Sequence, residues 1–311
     1  MFFYAYSVPA RLLLVRILLQ FPEGLKKEAL NHAIQYRKEG HEVFLSASPC
    51  YGACDLAYAE AEAVKADKLI HFGHSQFIRE NTPIPVEYVE YKKNLDMDKL
   101  SKIVSQLSAF KKISLATTVQ YIHQLEDMKL ILENFGHIVL IGKGTKTTYS
   151  GQILGCDGTA VSPDADAILF VGDGKFHPLA IESSLPAFVF NPNSGTLIQI
   201  NDLIEKLRKK RNGTLAAALS AETFGILLST KPGQSNLAFA EYVQNELLKR
   251  NKRAEILVAG ELLPSSLNNF LAFDCYISTA CPRLSDDGEA FGKPVLDAML
   301  FSEYLKLTNQ V

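Results

Sequence analysis

The sequence predicts an α/β protein built from three repeated parallel-sheet units, and three observations carry that prediction. Short β-branched runs alternate with amphipathic helical patterns along the whole chain, as they do where parallel strands are covered by helices. The alternation restarts twice, so 311 residues hold three copies of one unit of about 100 residues each. The third observation is an echo. Asp67-Lys-Leu-Ile-His-Phe-Gly-His74 lines up with Asp166-Ala-Ile-Leu-Phe-Val-Gly-Asp173 and with Asp274-Cys-Tyr-Ile-Ser-Thr-Ala-Cys281, each an Asp followed by a strand of buried character.

In the first unit, residues 15–21 read as a strand and 24–38 as an amphipathic helix entered through Phe21-Pro22-Glu23-Gly24. Residues 42–46 and 68–72 are the next two strands. The second unit repeats this with strands at 112–117, 137–141 and 167–171 and a helix at 120–134. The third has strands at 223–229, 254–259 and 273–278 and a helix at 236–249. Charged or polar helical segments near 96–107 and 206–213 close a unit, which gives domains 1–106, 107–212 and 213–311. Each repeated Asp is followed seven residues later by His74, Asp173 or Cys281, just past the carboxyl end of a third strand. Open α/β sheets bind ligands at that edge. Cys54 and Cys156 each precede an Asp in loops after the second strand of their units, and those loops open on the same edge.

Composition narrows the function classes. The chain is 47% hydrophobic and 21% charged, an ordinary globular balance. With 32 basic against 34 acidic side chains, it has no broad cationic field to neutralise a phosphate backbone, and no direct nucleic-acid binding is expected. The apolar run 12–19 is broken by Arg16 and falls short of the about 20 residues that span a bilayer, so no membrane span is expected. Neither a basic start nor a small-residue cleavage site frames that run, which predicts a cytoplasmic protein.

Several familiar motifs fail on spacing. Gly142-Lys143-Gly144-Thr145 invites a phosphate-loop reading, but His137 stands where the earlier glycine is needed and Gly144 follows the lysine. No dinucleotide fingerprint follows the first strand, and neither a Gly-x-Ser-x-Gly elbow nor a His-Glu-x-x-His helix is present. The basic run 206–211 reads as a solvated helix end. His74 and His177 occupy corresponding carboxyl-edge loops, where site-lining and loop-ordering roles are equally open.

The cysteines carry more information. Five of them, at 50, 54, 156, 275 and 281, are an odd number spread thinly, which argues against a disulfide framework. Cys54, Cys156 and Cys281 each lie in a loop with glycine or proline, one per unit. If the units surround a pseudo-threefold axis, the three loops converge and offer three thiolates to one metal centre. Structural zinc normally takes four ligands, often from local Cys-x-x-Cys pairs that this chain lacks, so an iron–sulfur cluster with one open iron fits better. Cys50, four residues before Cys54, could be a fourth ligand but reads as a bystander. Cys275 lies inside a strand and reads as core.

Tyr51-Gly-Ala-Cys-Asp55, Phe72-Gly-His-Ser75, Gly151-Gln-Ile-Leu-Gly-Cys156 and Cys281-Pro-Arg-Leu284 resemble, in this order and across three α/β units, one enzyme family. It is the archaeal diphthamide biosynthesis family of the first pathway step, the 2-(3-amino-3-carboxypropyl)histidine synthases, unconventional radical S-adenosylmethionine enzymes. The resemblance spans essentially the whole chain. One departure is Ser285-Asp286-Asp287-Gly288, where eukaryotic relatives tend to carry an Ile-Asp-Trp-Gly-like stretch, and the chain has no tryptophan.

The resemblance implies a 4Fe-4S cluster held by Cys54, Cys156 and Cys281, with S-adenosylmethionine as substrate at the open iron. It implies transfer of a 3-amino-3-carboxypropyl group to C2 of a histidine of translation elongation factor 2, with release of methylthioadenosine. It also implies a homodimer and an electron donor. Gly52, Gly155, Gly233, Gln234 and His74 are the candidate cofactor walls, and no catalytic side chain is assigned. The rival readings are a quinolinate synthase-like dehydratase, a non-catalytic accessory subunit and a zinc-stabilised binding module.

Overall fold

The computed structural model describes residues 14–78 and 82–309. Leu12 and Leu13, which open the apolar run, lie outside them. The chain forms two compact units divided between Tyr91 and Lys92. Among the described residues no helix is long and apolar enough to cross a membrane.

The first unit contains β1 (Arg16–Gln20), α1 (Ala29–Lys38), β2 (Glu42–Leu45), α2 (Tyr58–Ala63), β3 (Lys68–Phe72) and β4 (Val86–Val89). Its strands pair in parallel in the order β2-β1-β3-β4. Side chains alternate across the pleat, so β1 sends Ile17 and Leu19 to one face and Leu18 to the other. The first pair packs with Ala29 and Ala33 of α1, while Leu18 packs with Leu56 and Ala61. The helix expected over 24–38 instead opens with a 3₁₀ segment, Glu23–Glu28, and becomes α-helical at Ala29. No side chain caps its start, so the first amide groups are served by tight turns such as Leu25 N–H to Pro22 O at 2.9 Å.

The second unit holds two sheets. The first comprises β5 (Lys112–Thr117), β6 (Ile138–Leu140), β7 (Ala167–Val171), β8 (Ala187–Asn191) and β9 (Thr196–Gln199), in the order β6-β5-β7-β8-β9. All pairs are parallel except β8 with β9, an antiparallel edge. Helices α3 (Met97–Val104) and α4 (Leu125–Asn134) cover it. Asp96 caps α3 by accepting from the amides of Asp98 and Lys99. Leu100, Ile103 and Val104 share a core with Ile113, so α3 packs on the far side of the boundary expected at 106. The long helix α5 (Asn201–Ala218) follows, with Leu203 and Ile204 against this sheet.

The other sheet comprises β10 (Thr223–Ser229), β11 (Arg253–Ala259), β12 (Cys275–Ser278) and β13 (Val295–Leu296), parallel in the order β11-β10-β12-β13. It carries α6 (Leu237–Leu248), the short α7 (Pro264–Leu267) and α8 (Ala298–Thr308), with Leu215 and Ala218 of α5 completing its core. Every residue of β7 and β10 is buried, which is why β7 and residues 224–228 of β10 read as unbroken apolar runs. Three parallel-dominated sheets with helical covers are the α/β architecture the sequence predicts.

The repeated Asp has one structural job in all three sheets. Asp67 accepts from the amide of Arg16 at 2.7 Å, and Asp166 from those of Lys111 and Lys112 at 2.9 and 2.7 Å. Asp274 accepts from those of Glu222 and Thr223 at 3.0 and 2.9 Å. Each carboxylate thereby ties the start of the first strand to that of the third. The Thr223 hydroxyl at 2.7 Å, followed by these amides, holds the Asp274 carboxyl below its ordinary pKa. A depressed folded pKa adds stability above the unfolded carboxyl value, and that stability is lost as pH falls through the folded pKa. Asp274→Ala should therefore cost about 1 kcal/mol at pH 7, discounted for exposure. In anaerobic denaturant unfolding the gap to wild type should narrow below about pH 4. A gap that stayed constant with pH would contradict the clamp.

Candidate functional site

In the first unit a buried polar relay lies under the Cys54 loop. Gln20 ends β1 and is almost fully buried, so its amide must be satisfied internally. Its Nε2 donates to Asp55 O at 2.6 Å, and its Oε1 accepts from the Ala57 amide at 3.2 Å. The same oxygen stands 2.9 Å from His71 Nδ1. An amide oxygen only accepts, so His71 carries its proton on Nδ1, and its Nε2 lone pair faces His74 Nδ1 at 2.9 Å. Burial, followed by the neighbouring His74, pushes the His71 pKa down to about 3, which keeps the ring neutral near pH 7. Cys50 Sγ completes the group: it and one nitrogen of each histidine lie within 4.8 Å of one another. Cys54 is half-buried, and a Cβ placed on Gly52 would stand 3.6 Å from its sulfur. Asp55 closes the loop by accepting from the Tyr51 amide at 3.3 Å.

In the second unit the Cys156 loop is fixed by Asp157. Its Oδ2 accepts from the Lys146 amide at 2.6 Å and its Oδ1 from the Thr159 amide at 3.0 Å. Burial opposes ionisation of this carboxyl, but the bonds from Thr159, Lys146 and Thr145 outweigh it and hold the pKa below the ordinary value. The segment 142–145 proves to be a packing strap. A Cβ on Gly142 would meet Ala160 O at 2.4 Å, so the glycine permits close backbone approach.

Gly155 plays the same part toward a ring. A Cβ there would stand 2.1 Å from Phe176 Cε1, so only glycine leaves room for Phe176 against the loop. The Arg283 guanidinium lies 4.8 Å from the centre of that ring, a cation–π distance. Arg283 Nε stands 2.9 Å from Asp286 Oδ2, while Arg211 bonds Asp286 Oδ1 at 3.1 Å and Glu182 at 2.7 Å. The chain Gly155–Phe176–Arg283–Asp286–Arg211 thus locks the Cys156 loop to the turn that follows Cys281. Between them lies a cleft of about 500 Å³, bordered by Cys156, Pro282, Arg283, Arg211, Lys146 and Asp297. That is a ligand-sized volume. Asp297 also accepts from the Ser285 hydroxyl at 2.9 Å and caps α8.

The expected site residues therefore divide. Gly155, Cys156 and the Cys281 turn meet at the cleft, whereas Gly233 and Gln234 form a turn after β10 and are not among its lining residues. Gly52, Cys54 and His74 belong to the first unit. Asp173 is held by Lys93 at 2.9 Å and Asn193 at 3.0 Å, a loop-ordering role. His177 is half-buried, and its desolvation followed by the Arg283 charge lowers its pKa to about 4. Cys275 is fully buried in β12, where burial pushes its thiol far up, as expected of a core residue.

The basic run 206–211 is not a helix end, because α5 continues to Ala218. Arg208 and Lys209 pair with Glu205 on the surface, but Arg211 turns into the cleft network. Sequence reasoning also missed the Gln20–His71 relay. Its one signal was a glutamine closing the apolar run Ile17–Leu19 of a buried strand.

The family model for diphthamide synthesis proteins matches residues 21–307. The 2-(3-amino-3-carboxypropyl)histidine synthase of Pyrococcus horikoshii is 35% identical over 287 residues, 90% of this chain and 83% of that protein. The enzyme of the same name from Methanocaldococcus jannaschii is 30% identical over 315 residues, 94% of this chain and 84% of that protein. The crystal structure of Dph2 from P. horikoshii with a 4Fe-4S cluster superposes with a TM-score of 0.86 at 34% identity, covering 94% of this chain and 86% of the other.

Proposed function

The chain belongs to the diphthamide synthesis family, and on that premise we propose that it is a 2-(3-amino-3-carboxypropyl)histidine synthase acting on translation elongation factor 2. The observation that carries the reading is the locked pairing of the Cys156 loop with the Cys281 turn around one charged cleft, in a chain matched along almost its full length. We propose one α/β domain per sheet, with Cys54, Cys156 and Cys281 as the ligands of a 4Fe-4S cluster.

The residues present fit such a group. The three cysteines are half-buried, where a thiolate keeps access to metal. Gly155 and Gly52 leave the backbone beside two of them without side chains, and the Asp157 carboxylate next to Cys156 is occupied by its own loop. When bound, the cluster would supply one electron to the sulfonium of S-adenosylmethionine, splitting the bond to the γ-carbon and releasing methylthioadenosine; the aminocarboxypropyl group would bond to histidine C2, whose hydrogen leaves as a proton while the electron returns to the cluster.

The protein's own part is orientation. Arg283 is held between Phe176 and Asp286, and Arg211 between Asp286 and Glu182, so their charge is presented in fixed directions. A cleft with fixed guanidiniums and with the carboxylates of Asp297 and Glu182 at its wall suits the zwitterionic methionine end of the cofactor. The intact cysteine loops favour a catalytic subunit over an accessory one, and the family match weighs against a quinolinate synthase. The products of anaerobic turnover with S-adenosylmethionine and a one-electron reductant test this reading.

We further propose a cytoplasmic homodimer served by a separate electron donor, two-fold pairing being the commonest assembly. Light scattering on anaerobically purified protein should return about twice the chain mass. A fully active monomer would refute the dimer.

A further inference from the structure

The geometry points to a second metal centre in the first unit: we infer that Cys50, His71 and His74 bind one zinc ion, separately from the cluster cysteines. The ligand atoms, Cys50 Sγ and one nitrogen of each ring, already lie within 4.8 Å of one another. Two nitrogens and a sulfur bound to one tetrahedral ion at about 2.0–2.3 Å stand roughly 3.4–3.6 Å apart. The 2.9 Å between His71 Nε2 and His74 Nδ1 therefore opens by only about half an ångström.

The second argument is the tautomer. Gln20 is pinned by Asp55 O and the Ala57 amide, and its oxygen fixes the His71 proton on Nδ1. The lone pair of Nε2 is thereby aimed at His74 and Cys50. A buried amide that orients a ligating imidazole from behind is the outer-shell arrangement metal sites use. One thiolate and two imidazoles match zinc better than hard, oxygen-seeking cations, and one tetrahedral position is left for water. Binding would shift the His74 proton from Nδ1 to Nε2, leaving Nδ1 free to ligate, and would release the proton of the Cys50 thiol.

The test is metal analysis of anaerobically reconstituted protein, dialysed against zinc and then against buffer, for wild type, Cys50→Ser, His74→Ala and Cys275→Ser. Wild type and Cys275→Ser should hold about one zinc per chain, and the other two less than about a tenth of that, with iron and sulfide unchanged in all four. X-ray absorption at the zinc edge of wild type should show one sulfur near 2.3 Å and nitrogens near 2.0–2.1 Å, a readout that does not depend on the variants folding. Wild type without stoichiometric zinc, zinc retained in both Cys50→Ser and His74→Ala, or zinc with oxygen ligands only would overturn the site. Loss of iron in Cys50→Ser would also overturn it, by placing Cys50 in the cluster. Absence of iron from wild type with zinc intact would count against the proposed function instead.

Discussion

Replacing Cys156 or Cys281 with serine should lower turnover by about 100-fold or more and leave the fold in place. A serine hydroxyl is a hard, protonated donor at neutral pH and a poor substitute for a soft thiolate on iron. Both cysteines are only half-buried, in loops whose shape rests on other groups. The Cys156 loop is held by Asp157 with Thr159 and Lys146, and the Cys281 turn by the Ser285 hydroxyl on Pro282 O at 2.7 Å and on Asp297. The loss should thus appear in iron, sulfide and activity and not in circular dichroism. Cys54→Ser should behave likewise, whereas Cys275→Ser, deep in β12, should keep its iron. Full iron and sulfide in Cys156→Ser or Cys281→Ser, or iron lost from Cys275→Ser, would remove the ligand assignment.

Much of the fold was legible because its central strands are buried on both faces. Residues 68–72, 112–117, 167–171 and 223–229 are rich in apolar and β-branched side chains, and each is the strand observed. The strands beyond the third in each unit were not: β4, β8, β9 and β13 are short and follow the three strands that the repeated alternation marks. The Asp echo was visible as a pattern, but its meaning, a carboxylate tying two strand starts, needed the paired amides of Arg16, Lys112 and Thr223.

The candidate site shows the same division. A cysteine in a glycine-bearing loop announces itself in one dimension, as at Gly155-Cys156. The network behind it does not, because Phe176, Arg211 and Arg283 come from a loop, a helix and a turn far apart in sequence. Arg211 sat within a run of charges whose surface members hid it. His71 was placed correctly in a strand, yet its partner Gln20 becomes a neighbour only through β1–β3 pairing.

We propose that this chain cleaves S-adenosylmethionine toward an aminocarboxypropyl group. Its cysteines lack the Cys-x-x-x-Cys-x-x-Cys spacing of conventional radical enzymes of this cofactor, because the residue three beyond Cys54 is Ala57. Under the proposed ligand assignment, ligands drawn from separate loops would put the open iron in a different cradle. Regiochemistry follows geometry, since the carbon–sulfur bond best aligned with the electron donor is the one that opens. The most direct measurement is anaerobic turnover of the reconstituted protein with reductant, carboxyl-labelled S-adenosylmethionine and elongation factor 2, resolved by chromatography. Methylthioadenosine as the main nucleoside, with label on a histidine of the factor, is the expected result. 5′-Deoxyadenosine as the main product, or a factor left unlabelled, would contradict the account.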